Sequence, residues 1–225
     1  THGYTAVYLH YNTGLAIADN GRALAALLET LVKVWPVPLE ELNILAHSMG
    51  GLVTRSAQQH ARVEGHSWPA STRKFVFLGT PHHGAPLERG GHWLDLILGA
   101  TPFAAPLVKL GKIRSAGIMD LRHGGNAEKG IKLPPLPEGI ECFTLAGSIG
   151  LKASLLQGNL PGDGLVPVDS ALGLHNDPSQ TLEIPASNRV ILEDVNHMQL
   201  LSDARVFAIL ESALKPSSPA SHSHP

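Results

Sequence analysis

Ten residues constrain this chain more than any others: Leu42-Asn43-Ile44-Leu45-Ala46-His47-Ser48-Met49-Gly50-Gly51. An apolar, strand-like run meets a serine set between small neighbours, and residues 49–63 then read as a helix. The pattern predicts a buried strand ending near His47, a sharp turn at Ser48 and a helix opening at Met49, which lifts the serine hydroxyl above a sheet edge. Such a turn presses strand and helix together, so bulk at Ala46 or Gly50 is expected to clash, and the serine has to hold unusual backbone angles. Ala46 stands where the motif usually has glycine, an addition of one methyl. A bare small-x-Ser-x-Gly pattern arises by chance in on the order of one chain in several. The competing reading is an N-cap serine that simply starts a helix. A legible strand before the turn and a legible helix after it favour the nucleophile elbow.

A serine hydroxyl is a poor nucleophile near neutral pH, so an elbow needs a base and a group to orient that base. Downstream, Arg189-Val190-Ile191-Leu192-Glu193-Asp194-Val195 is a β-rich run followed by Asn196-His197 and a helix-like stretch at 199–214. His197 therefore stands at the carboxyl end of a strand. Cys142-Phe143-Thr144-Leu145-Ala146-Gly147 is another strand, and the loop beyond it carries Pro161-Gly162-Asp163-Gly164-Leu165-Val166-Pro167. Asp163 is the candidate acid. Asp-Gly is also an ordinary turn signal, and Asp169, Asp177 and Asp194 stand in comparable settings. The chain has 13 histidines, so position after a terminal strand, not residue type, singles out His197. His47, beside the serine, and His82 and His83, in the strand-end segment Gly79-Thr80-Pro81-His82-His83-Gly84, are candidate substrate-binding residues. A zinc reading of His82 and His83 lacks evenly spaced third and fourth ligands, so no metal and no cofactor is expected.

Strands at 5–11, 42–47, 75–80, 141–147 and 189–195 alternate with helices at 20–34, 49–63 and 199–214, the signature of a parallel sheet with crossover helices. From 85 to 137 the rhythm breaks into a Gly- and Pro-rich stretch bearing Trp93, Leu94, Ile97, Leu98, Phe103 and Leu107. It reads as an inserted cap, either an acyl-binding lid or a cover packed on the sheet. The tail 216–225, built of Ser, Pro, Ala and His, reads as disordered, leaving residues 1–215 as one domain.

At 225 residues a single domain buries about 70% of its unfolded surface, so its core needs neither metal nor disulfide. The lone cysteine, Cys142, forms no internal bridge and leaves a reducing compartment open. With 17 Lys and Arg against 19 Asp and Glu, and no basic run, nucleic acid is not expected as a partner. The apolar run from Ala23 to Val32 is broken by Glu29 and too short to span a bilayer. A soluble protein, cytoplasmic or exported, is expected.

Together, Tyr8-Leu9-His10-Tyr11-Asn12-Thr13-Gly14, Asn20-Gly21-Arg22, Ala46-His47-Ser48-Met49-Gly50-Gly51, Gly79-Thr80-Pro81-His82-His83-Gly84-Ala85-Pro86 and Gly162-Asp163-Gly164-Leu165-Val166-Pro167 resemble bacterial lipase-like α/β-hydrolases. They are similar to the catalytic domain of the inositol deacylases that act on glycosylphosphatidylinositol anchors. The resemblance covers most of residues 4–214. It implies an α/β-hydrolase fold, mostly a parallel sheet with crossover helices and an inserted cap. It also implies hydrolysis of small-molecule or lipid carboxylic esters through an acyl-enzyme, with Ser48, Asp163 and His197 as the triad and the Met49 amide in the oxyanion hole. In that family a strand ending in His-Gly precedes the one at 5–11 and supplies a second oxyanion amide. Here Thr1-His2-Gly3 stands before the strand, so the N-terminal strands are expected to be missing. A thioesterase or acyltransferase would use the same triad, and a non-catalytic binding module would fit the missing oxyanion strand. Fold-level likeness licenses a reaction class more readily than a ligand.

Overall fold

The computed structural model describes residues 3–85, 116–123, 125–126, 131–132, 135–150 and 162–215. In chain order its elements are α1 (Ile17–Val34), β1 (Leu42–His47), α2 (Met49–Glu64), β2 (Thr72–Leu78), α3 (Ala116–His123), β3 (Gly125–Asn126), β4 (Ile131–Lys132), β5 (Glu141–Ser148), α4 (Val168–Ala171), β6 (Arg189–Glu193) and α5 (Ala204–Ala213). Four of the strands form one sheet in the order β1-β2-β5-β6, and every pairing in it is parallel. Parallel neighbours need a crossover connection, which α2 provides between β1 and β2. β3 and β4 make a separate antiparallel pair.

β2 is an inner strand, and its run Phe75-Val76-Phe77 is fully buried, as a strand covered on both faces must be. Alternation along β5 shows how the layers divide. Ala146 packs with Ile17 of α1, Met49, Leu52 and Val53 of α2, and Leu121 of α3. Leu145, pointing to the opposite face, packs with Val76, Leu78, Leu192, Leu200 and Val206 of α5. The sheet is thus sandwiched between helices, and burial of each such large apolar side chain is worth about 1.5–3 kcal/mol. This is the α/β-hydrolase arrangement expected from the sequence.

Two expectations change. Residues 5–11 form no strand: 5–10 are exposed, with Tyr8 at 87%, Tyr11 packs against the core, and the segment pairs with no strand among the described residues. β propensity measures fit to a neighbouring strand, and without that neighbour the same residues stay irregular. β1 is accordingly an edge, with Leu45 48% exposed. The helix expected at 199–214 divides into a 3₁₀ turn at Gln199–Leu201 and α5, because the Asp203 side chain accepts from Arg205 N (2.8 Å) and caps a new start. Most of the expected cap, including Trp93, Leu94, Ile97, Leu98, Phe103 and Leu107, and the tail 216–225 lie outside the described residues. From the end of that stretch α3 is described, and the buried Asp120 accepts from Ile17 N (2.8 Å) at the start of α1.

Candidate active site

Ser48 joins β1 to α2 with φ 54° and ψ −126°. A non-glycine residue holds such angles only where its surroundings enforce them. Here Ser48 N continues the ladder by donating to Leu78 O (2.9 Å), while Ser48 O already accepts from Gly51 N (3.1 Å) of the helix. Met49 heads α2, where the first amides lack intrahelical acceptors and lie at the positive end of the helix dipole. The steric demand falls elsewhere than on Gly50. A Cβ there would meet only Ala46 Cβ and Tyr11 Oη, both at 3.8 Å, which is ordinary contact. At Gly51 it would stand 2.1 Å from Thr80 Oγ1, so Gly51 is the residue that lets helix and sheet close up.

Asp163 and His197 meet in a buried pair, with His197 Nδ1 donating to Asp163 Oδ2 at 2.7 Å and side chains 4% and 0% exposed. A carboxylate only accepts, so the bond fixes the imidazole proton on Nδ1 and leaves Nε2 as the acceptor. The other carboxylate oxygen accepts from Leu165 N (3.0 Å) and Val166 N (2.8 Å), which locks the Asp163 rotamer. A third link runs through the backbone, from His197 N to Asp163 O at 3.0 Å. Below the pair lies Gly79, at φ 54°, where a Cβ would come within 3.0 Å of Asp163 Oδ2 and 3.1 Å of His197 Cε1. Asp169, Asp177 and Asp194 are exposed, whereas Asp163 is buried with its carboxylate on His197. Asp177 instead caps a 3₁₀ turn, and bonds from Gln180 and Ser179 hold its carboxyl at about 2.

The histidines near the elbow take different places. His47 Nε2 donates to His197 O (3.0 Å), and the two rings lie 4.5 Å apart at 45°. Burial, and then the neighbouring His197, push the His47 imidazole down to about 4. His82 is 3% exposed, edge-on to Phe77 at 4.9 Å, with Nδ1 3.5 Å from the guanidinium of Arg55. Burial, and then the neighbouring Arg55, hold it well below the ordinary histidine value. His83 is partly exposed, its ring 5.0 Å from that of His175. Among the described residues no group of three or more His, Cys, Asp or Glu is arranged to hold a metal ion. Burial pushes the Cys142 thiol up to about 12, so it stays protonated and is no rival nucleophile.

Sequence reasoning missed the two glycines that make room, Gly51 and Gly79, and the buried Arg55. The signal for Gly79 was its place at the end of a strand, directly before Thr80-Pro81. Arg55 carried none, since a lone arginine in a helix pattern reads as surface.

A family model described as "Domain of unknown function (DUF7379)" matches residues 3–119. The chain belongs to the DUF7379 family. No curated protein matches it. Among solved structures, the DUF7379 chain is similar to the Bacillus licheniformis lipase BlEst2 in mature form, at 22% identity and a TM-score of 0.51, covering 92% of this chain and 76% of that one. A metagenomic carboxyl esterase is 15% identical with a TM-score of 0.54, covering 94% of this chain and 61% of its own. Phospholipase PlaB from Legionella pneumophila is 14% identical with a TM-score of 0.52, covering 95% and 51%. The DUF7379 chain therefore spans less than two thirds of the last two. At such identities the likeness establishes the α/β-hydrolase fold.

Proposed function

We propose that the chain is a serine hydrolase that cleaves carboxylic esters through an acyl-enzyme. The observation that carries this reading is the Asp163–His197 pair at 2.7 Å, set against Gly79 at the end of β2 and met by His47, the last residue of the strand that leads into Ser48. Ser48 Oγ attacks the ester carbonyl carbon while His197 Nε2 takes its proton, and the Met49 N–H donates to the oxyanion that forms. Collapse of the tetrahedral intermediate breaks the carbon–oxygen bond to the alcohol, which leaves with the proton from His197. A water, deprotonated by the same nitrogen, then releases the acid and restores Ser48. Asp163 holds the Nδ1 proton throughout and stabilises the transient imidazolium. Bonds from Leu165 N and Val166 N support that role, since they aim the carboxylate without occupying the oxygen that His197 uses.

The test is hydrolysis of a p-nitrophenyl ester series beside the matching thioesters, with a fluorophosphonate probe and mass spectrometry of the labelled peptide. Ester turnover and labelling at Ser48 are expected. Labelling of another serine, or faster thioester turnover at every chain length, would contradict the proposal.

A further inference from the structure

Asp163 holds His197 at two atoms: backbone N to Asp163 O, and Nδ1 to Asp163 Oδ2. Another hold is at its carbonyl oxygen. In the turn that follows, Leu200 N donates to Asn196 O and Leu201 N to Met198 O, so neither turns back on that carbonyl. His47 Nε2 meets it instead, at 3.0 Å and across 150 residues of sequence. The same imidazole lies against the His197 ring with centroids 4.5 Å apart.

We infer that His47 is a positioning residue for His197, fixing the base relative to the nucleophile by a hydrogen bond to its carbonyl and by ring contact. The inference rests on the hydrolase reading above and deepens it. Its force comes from the covalent neighbour: His47 precedes Ser48, and a trans peptide sets consecutive Cα atoms about 3.8 Å apart. One residue and one hydrogen bond therefore connect the backbone of the nucleophile to that of the base. The segment carrying His197 leaves β6 through Asp194 at φ 57°, and its backbone meets the sheet again at Val195 N to Ser148 O (3.3 Å). Val195 and Leu200 pack on the sheet to either side of it, so the His47 bond adds a direct tie at His197 itself. A carbonyl acceptor places the His47 proton on Nε2. Because the imidazole stays neutral down to about 4, it neither competes for the proton that Ser48 gives up nor sets a second positive charge beside the imidazolium.

The test compares His47→Phe, which keeps a ring and loses the donor, with His47→Gln, whose amide nitrogen reaches the same distance. Each is read by steady-state kinetics on a p-nitrophenyl ester and by the downfield proton resonance of the Asp163–His197 hydrogen bond. A base displaced by about 1 Å costs on the order of 10²-fold. His47→Phe should therefore lower kcat by about 10- to 100-fold with KM nearly unchanged, and broaden the resonance. His47→Gln should recover most of both. Should His47→Phe not fold, His47→Asn, whose amide stops one bond short, takes its place against His47→Gln. Wild-type kcat and resonance in the donor-free variant, or equal losses in both variants, would overturn the inference. The resonance belongs to the pair alone, so the two readings fail separately. A wild-type protein inert to fluorophosphonate whose resonance responds as described contradicts ester hydrolysis and keeps the tie. A reactive protein whose resonance ignores His47 does the reverse.

Discussion

Replacing Asp163 by asparagine separates what its carboxylate does for the imidazole from what it does for the loop. Oδ1 accepts from Leu165 N at 3.0 Å and Val166 N at 2.8 Å, so an asparagine must turn its carbonyl oxygen to that side; its NH₂ there would face two donors. The amide nitrogen is then aimed at His197 Nδ1, 2.7 Å away in the native pair, and that nitrogen has to accept instead of donate. The imidazole proton moves to Nε2, the atom needed to receive the Ser48 proton. Wrong tautomer and lost charge together cost about 10⁴-fold in comparable triads, or about 5 kcal/mol of transition-state stabilisation. Since both loop hydrogen bonds survive, Asp163→Asn should melt within a few degrees of wild type. Asp163→Ala removes the acceptor of both amides, and the buried Val166 N–H, left unmatched, costs about 1–3 kcal/mol. At about 2–4 °C per kcal/mol for a chain of this size, it should melt distinctly lower. The assays are p-nitrophenyl acetate turnover and thermal unfolding by circular dichroism. Turnover of Asp163→Asn within tenfold of wild type, or equal melting of the two variants, would refute the reasoning.

Ser48→Ala and Ser48→Gly should both abolish turnover and fluorophosphonate labelling, but the glycine variant, relieved of the positive φ of 54°, should be the more stable by about 1 kcal/mol in urea unfolding. Gly51→Ala, whose Cβ would stand 2.1 Å from Thr80 Oγ1, should cost about 1–3 kcal/mol by the same measurement. Gly50→Ala, with nothing closer than 3.8 Å, should stay within about 0.5 kcal/mol of wild type. His47 takes up a proton at about 4 in the folded state and near the usual 6.5 when unfolded, so between those values the unfolded chain binds more protons. Stability should therefore fall as pH drops through that window, by up to about 1.4 kcal/mol per unit from this residue, and His47→Gln should flatten the slope. A slope unaffected by the substitution would mean that His47 is solvated.

The parts of the site that could be read from the sequence were those fixed by chain-local rules. A strand running into small-x-Ser-x-Gly and then a helix predicts a sharp turn at the serine, and Ser48 holds φ 54° there. The alternation of apolar runs with helical spacing gave β1, α2, β5 and β6 within a few residues. Asp163 was legible only as one turn aspartate among four, because what selects it is a bond to a residue 34 positions away. Gly51 was hidden for a similar reason: Thr80, the side chain it makes room for, belongs to another strand's end. Residues 5–11 misled because their composition reports an affinity for a neighbouring strand, and none lies beside them among the described residues.

The hydrogen bond between His47 and His197 spans 150 residues, and that separation carries a consequence for how the molecule comes into being. Contacts so distant in sequence form late, because the entropy of closing the intervening chain must be met before they return anything. During synthesis β1, α2 and β2 leave the ribosome and can pair while His197 has yet to be added. Ser48 can be bent into its turn long before His197 exists. On the proposed mechanism it then has no base to pass its proton to until β6 takes its place on the sheet, and the site would stay silent throughout its own assembly.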